Sequence, residues 1–212
     1  MKKFLDFFES IVKTLITLVL IVVIIALVVN AIYPLGYRDE IEKNSNSMEI
    51  SPYLVMALIN IESKFDKNAV SDKGAMGLMQ IKPDTAEWIA ENMGMPYQHM
   101  SDLVTPAINI RMGCWYLNYL MKEYKDVNYA LAAYNAGMGN LDEWIKNGLE
   151  IKEGDYSNIP FSETRHYIRK IRSQAKTYET LDKIYARKNE FFTYGIEAFN
   201  WVKSFVKDKV NK

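Results

Sequence analysis

Residues 14–33, TLITLVLIVVIIALVVNAIY, run without a single charge. In hydrocarbon every backbone N–H and C=O must find its partner inside the segment, so a run like this has one accessible form, an α-helix. About 20 apolar residues are enough to cross a bilayer. A helix on the surface of a soluble core would carry a polar stripe, and this run has none. Signal peptides have a shorter apolar region and a small-x-small cleavage site, and no convincing site follows here. The run reads as an uncleaved membrane anchor, with a cleaved signal as the alternative. Lys2, Lys3 and Lys13 precede it, against Arg38 and Lys43 just after it. That bias places the N-terminus in the cytoplasm and the rest of the chain on the outer side of the membrane.

The rest of the 212 residues allow one domain of ordinary size. Residues 1–33 form the cytoplasmic N-terminus and anchor, 34–49 a linker, 50–185 the domain and 186–212 a C-terminal extension. In the linker, Pro34 and Gly36 break the helix, and Asn44-Ser45-Asn46-Ser47 reads as a polar hinge. Apolar residues make up 49%, enough for a core, and 26 Lys and Arg balance 26 Asp and Glu. A chain without a basic field is a poor partner for nucleic acid. Cys114 is the single cysteine, in an apolar helical run, and reads as a small core residue. His99 and His166 are the two histidines, and no zinc motif is present; no metal is expected.

Helical periodicity and end signals recur through the domain. Ser51 and Pro52 start a first helix; Pro83 opens a second that Gly94 ends. Thr105-Pro106 begins a third, running to about Lys125. Asn128 caps a fourth, Tyr129 to Ala136. Asn140 and Glu143 resemble a capping box for a fifth, stopping at Gly148. A last helix starts near Ser162 and continues past Tyr178. No strand pattern of useful length is present, so the fold class is mainly α. In the extension, Ile196, Phe199, Val202, Val206 and Val210 share a helical face, with Lys203, Lys207 and Lys209 elsewhere. It reads as a helix packed on the domain or as a basic helix lying on the membrane.

The first helix of the domain carries one anomaly. Leu54, Val55, Leu58, Ile59, Ile61 and Phe65 fall on one arc of roughly 160°. Glu62 points into the middle of it. A carboxylate there is costly unless it is paired or protonated. It is either a buried salt bridge or cap, or a general acid with a raised pKa. The polar segment from Asp66 to Gln80, with Gly74 and Gly77, can lay backbone beside whatever Glu62 faces.

Three motif blocks decide between these readings. Glu62-Ser63 is followed by Asn68-Ala69-Val70-Ser71, Gly74-Ala75-Met76-Gly77-Leu78-Met79-Gln80 and Pro83-Asp84-Thr85-Ala86. Ala130-Leu131-Ala132-Ala133-Tyr134-Asn135-Ala136-Gly137 comes next, then Ile159-Pro160-Phe161-Ser162-Glu163-Thr164-Arg165-His166-Tyr167. In this order and spacing they resemble the lytic transglycosylase (SLT) family, which shares a lysozyme-like fold with goose-type lysozyme. The resemblance covers about Ile50 to Ile171.

The resemblance implies peptidoglycan glycan strands as substrate and no cofactor. It implies Glu62 as the catalytic acid and later the base. Ser71 and Gln80 would shape sugar subsites, Tyr134 would support the catalytic centre, and Glu163 and Tyr167 would line the groove floor. Asn135 would bind substrate or hold the turn before Gly137. Most glycosidases use two carboxylates, whereas Asp66 and Asp72 match no second-acid motif. One acid suffices if the sugar supplies its own C6 hydroxyl as nucleophile, giving a 1,6-anhydro product. A goose-lysozyme-like hydrolase and a non-catalytic wall-binding scaffold are the alternatives. One departure stands out: Lys82 occupies a position that is commonly Met in the family.

Overall fold

This computed structural model describes the backbone of residues 2–95 and 99–210, and side chains for residue 4 and, within those ranges, residues 6–186. Helix α1 (Lys2–Ile32) is followed by α2 (Arg38–Ser47), α3 (Pro52–Glu62) and α4 (Pro83–Met93). A 3-10 turn at Met100–Val104 leads into α5 (Pro106–Tyr124), α6 (Val127–Ala136), α7 (Met138–Lys146) and α8 (Ser162–Val210). Among the described residues, β structure is limited to isolated bridges, two of them in the loop after α3 (Val70 with Met76, Met76 with Ile81).

Helix α3 is the axis of the domain. Seven consecutive residues, Leu54 to Asn60, are buried, so it is surrounded rather than amphipathic. A helix apolar on all sides belongs inside a core. Helix α8 runs antiparallel along it. Tyr53 donates to Asp182 Oδ2 at one end (2.8 Å), and Tyr167 donates to Glu62 at the other. Helix α2 also packs on α3, while α5 packs on α2 and α6, and α6 packs on α8; Cys114 is fully buried in the core.

Helix α1 stands apart. Asp6–Ile32 is long and apolar enough to cross a membrane, and its most apolar stretch is buried by nothing in the protein. A bare face of this kind needs lipid or a partner to cover it.

The segment expected to be a hinge is instead helix α2. Ile41 and Ser45 are fully buried in the domain and Asn44 nearly so. Asn44 Nδ2 donates to Glu40 O (2.7 Å) and the Ser47 hydroxyl to Asn44 O (2.8 Å). Asn44, Ser45 and Ser47, three of the residues that suggested a loop, thus donate to the helix's own carbonyls. The junction with α1 is tied as well. Asn60 Nδ2 donates to Ile32 O (3.0 Å) and to Gln174 Oε1 (2.9 Å). Tyr33 packs edge-on against Tyr178 at 5.4 Å, and Arg38 pairs with Asp182 at 2.6 Å.

Two helix starts differ from expectation. Asp126, not Asn128, caps α6: its carboxylate accepts from the backbone N–H of Asn128 (2.7 Å) and of Tyr129 (3.2 Å). Helix α7 begins at Met138, so Asn140 lies inside it and donates back to Ala136 O. Helix α8 continues to Val210, but the extension's apolar face, Ile196 to Val210, and its lysines lie outside the described side chains.

Candidate active site

The last residue of α3 is Glu62, and the loop that follows is folded back beside it. Ser63 fastens the turn: its hydroxyl lies 3.1 Å from Ile59 O and 2.8 Å from Leu78 O, tying the helix end to the far side of the loop. Asn109 of α5, fully buried, holds the loop from the other side. Its Oδ1 accepts from Met79 N (2.7 Å), while Nδ2 donates to Met76 O (3.0 Å) and Leu103 O (2.8 Å). Gly77 has φ +76°, and a Cβ there would lie 2.1 Å from Leu103 O. Only glycine fits that approach. Gly113 of α5 lies equally tight, with Met79 Sδ at 2.3 Å from where a Cβ would stand.

Around Glu62 the electrostatics are set by burial. Desolvation raises its pKa from 4.5 to about 7; the Tyr167 hydrogen bond opposes this, and the Glu163 charge adds to it. The Tyr167 hydroxyl donates to Glu62 Oε1 at 2.5 Å. Burial and the neighbouring Glu62 charge push both Tyr134 and Tyr167 well above the ordinary phenol value, so both remain donors. Tyr134 donates to Met79 O at 2.8 Å, joining α6 to the loop.

Glu62 lies in the wall of a cleft of about 440 Å³. Of the residues singled out in the sequence, Ser71, Gln80, Tyr134, Asn135 and Glu163 also line it. Several have structural duties as well. Ser71 Oγ accepts from Ala75 N, and Gln80 Nε2 donates to Ala69 O and Gly77 O, so both hold the loop in shape. Asn135 Oδ1 accepts from the buried Thr164 hydroxyl at 2.7 Å.

Tyr167 is 7% exposed and is not among the residues lining the cleft; it donates to Glu62 from beneath. Asp72, Lys73, Lys82, Thr85 and Tyr116 also line the cleft. Of these, Lys82 was marked in the sequence as a departure, Thr85 was quoted within a motif block and Asp72 matched no second-acid motif. Asn109, Gly113 and Tyr116 share one face of α5 at spacings of four and three, a polar-small-aromatic stripe that could have been noticed.

Comparison with known proteins gives a consistent picture. The family model described as transglycosylase SLT domain matches residues 39–155. The soluble lytic murein transglycosylase of Salmonella typhimurium is 35% identical over 143 residues, covering 66% of this chain and 22% of that protein. The membrane-bound lytic murein transglycosylase C of Serratia proteamaculans is 31% identical over 169 residues, covering 67% of this chain and 46% of that protein. The X-ray structure of an inactive mutant of lytic transglycosylase Slt from Pseudomonas aeruginosa aligns with a TM-score of 0.67 at 30% identity. It covers 73% of this chain and 26% of that one. The chain therefore spans about a fifth of the length of the Salmonella relative and less than half of the Serratia one. The matched region begins inside α2, which fits the packing of that helix on the domain. With its α-helical, lysozyme-like architecture and a family match across more than half its length, the chain belongs to the transglycosylase SLT domain family.

Proposed function

We propose that this chain is a membrane-anchored peptidoglycan lytic transglycosylase with Glu62 as its single general acid and base. The observation that carries the reading is the state of Glu62: a carboxyl held near neutral pKa by burial, fixed on one oxygen by Tyr167, in the wall of a cleft. An acid of that pKa is poised to donate and recover a proton at physiological pH.

In the proposed reaction Glu62 gives its proton to the oxygen bridging MurNAc and GlcNAc. The C1–O4 bond breaks, and the N-acetyl group supports the positive charge at C1. Glu62, now a carboxylate, takes the proton of the C6 hydroxyl as O6 bonds to C1. The product is a 1,6-anhydroMurNAc end, no water is consumed and the acid is restored. Tyr167 holds the carboxyl throughout, and the Tyr134–Met79 bond holds the loop bearing Ser71 and Gln80 against it. Helix α1 would anchor the enzyme in the cytoplasmic membrane with the domain on the outer, wall side, where peptidoglycan lies.

One observation favours a second reading. Asp72 and Glu163 both line the cleft, so a carboxylate is at hand that could activate water. A hydrolase of that kind leaves reducing ends. Digestion of purified sacculi with the full-length protein, followed by mass spectrometry of the muropeptides, separates the two. Anhydro ends from the wild type, and at least about 10²-fold less product from Glu62→Gln, are expected. Reducing ends that disappear in Asp72→Asn or Glu163→Gln would establish the hydrolase instead.

A further inference from the structure

The cleft does not end at the residues that face Glu62. Thr85 and Tyr116 line it and also line a shallow adjoining depression of about 280 Å³, completed by Asp84, Trp88 and Met138. We propose that this depression is a distal sugar subsite in which partly exposed Trp88 is the stacking platform for glycan residues beyond the cleavage point. This rests on the glycan-cleaving reading above and extends it to how the strand is held.

The geometry is that of a rigid aromatic row. Tyr134, beside Glu62, packs against Tyr116 at 5.4 Å, and Tyr116 meets Trp88 edge-on at 6.2 Å. Trp88 is braced further by Tyr119 at 4.9 Å and 77° and by Trp115 at 5.6 Å and 63°. An indole fixed by three edge contacts loses little freedom when a ligand lies on it. Its electron-rich face attracts the C–H face of a pyranose ring, whose hydrogens carry partial positive charge. Asp84 and Thr85, at the edge of the platform, supply a carboxylate and a hydroxyl for sugar hydroxyls. The occupant follows from continuity. A glycan is a linear polymer, so sugars beyond the scissile pair must leave the cleft along a wall, and the wall shared through Thr85 and Tyr116 leads onto Trp88.

The test measures binding by calorimetry in the uncleaving Glu62→Gln background of the full-length protein in detergent. The probes are glycan oligomers of one disaccharide repeat and of four. Adding Trp88→Ala should weaken the four-repeat strand by about tenfold and leave the single repeat within about twofold. Trp88→Phe should retain most of the long-strand affinity, since a ring remains. Equal weakening of both lengths would show a merely structural role, and no weakening of either would show that the strand takes another path; each overturns the proposal. Digestion of sacculi by the wild type runs alongside. Sacculi left uncut, with neither oligomer bound, would sink the glycan reading itself and the subsite with it.

Discussion

Replacing Glu62 with Gln should make the protein more stable at alkaline pH while abolishing activity. The folded protein holds the Glu62 proton up to about pH 7, whereas an unfolded chain releases it near 4.5. Between those values the folded state binds more protons, so stability falls as pH rises through the window. It is unaffected below the lower value, and the loss is complete above the upper one. At 1.36 kcal/mol for each tenfold change in proton affinity, the full effect is roughly 3 kcal/mol. Water in the open cleft screens part of it, leaving on the order of 1 to 2 kcal/mol. Glutamine keeps the shape and can still accept from Tyr167 but never ionises. The variant should therefore melt about 3 to 8 °C above the wild type at pH 8, with the gap closing by pH 4.5. Thermal melts by tryptophan fluorescence across that range give the curve. A variant less stable than the wild type at pH 8 would mean that the carboxylate is paired with a cation, and the acid assignment would fail with it.

Activity itself should decline as pH rises past about 7, because Glu62 must carry a proton to start the reaction; a rate that climbs steadily to pH 9 would contradict this. Gly77→Ala should cost roughly 2 to 4 kcal/mol and loosen the loop, since its Cβ would strike Leu103 O and strain a left-handed residue; denaturant melts would show it. Truncation of residues 1–32 should leave a folded domain active on isolated sacculi. Truncation of residues 1–47 should cost about 3 kcal/mol or more by removing buried Ile41 and the Arg38–Asp182 pair. Equal melting temperatures for the two truncations would refute the structural role of α2.

Long-range consequences were the part of the structure that local pattern did not carry. Helices opened by Pro52, Pro83 and Pro106 were legible because proline and its neighbours act within one turn. Glu62 stood out as a carboxylate on an expected apolar arc, although α3 is buried on all sides, ends at Glu62 and leaves Phe65 beyond it. Tyr167 could be named from its motif, but not its place under the acid, which depends on α8 running antiparallel to α3 over a separation of 105 residues. Asn109 went unremarked because one buried amide in a helix has no local signature; it becomes intelligible once the carbonyls it satisfies are in place. The caps at Asp126 and Gly137 were missed by two and three residues, where several polar residues compete for a helix start.

The reading of Asn44 to Ser47 as a polar hinge, where the structure has the end of α2, has the largest consequence. Polar Asn and Ser look like a hinge because they compete with helix formation when exposed, yet here their side chains bond carbonyls within the helix while Ile41 and Ser45 enter the core. Helix α1, the proposed anchor, is therefore tied to the domain. The same helix that ends in Glu62 holds Ile32 O, the last residue of α1, through Asn60, two positions before the acid. Helix α8 meets the same junction through Gln174 and Tyr178 and reaches Glu62 through Tyr167. On the proposed reading of α1 as anchor and Glu62 as proton donor, two helices join the one to the other, so the cleft should keep one orientation to the membrane. Asn60→Ala removes one of those ties without touching the cleft lining. It should leave cleavage of isolated glycan unchanged and lower cleavage of wall material only when the protein is membrane-bound. Equal losses on both substrates would place Asn60 in the catalytic machinery instead.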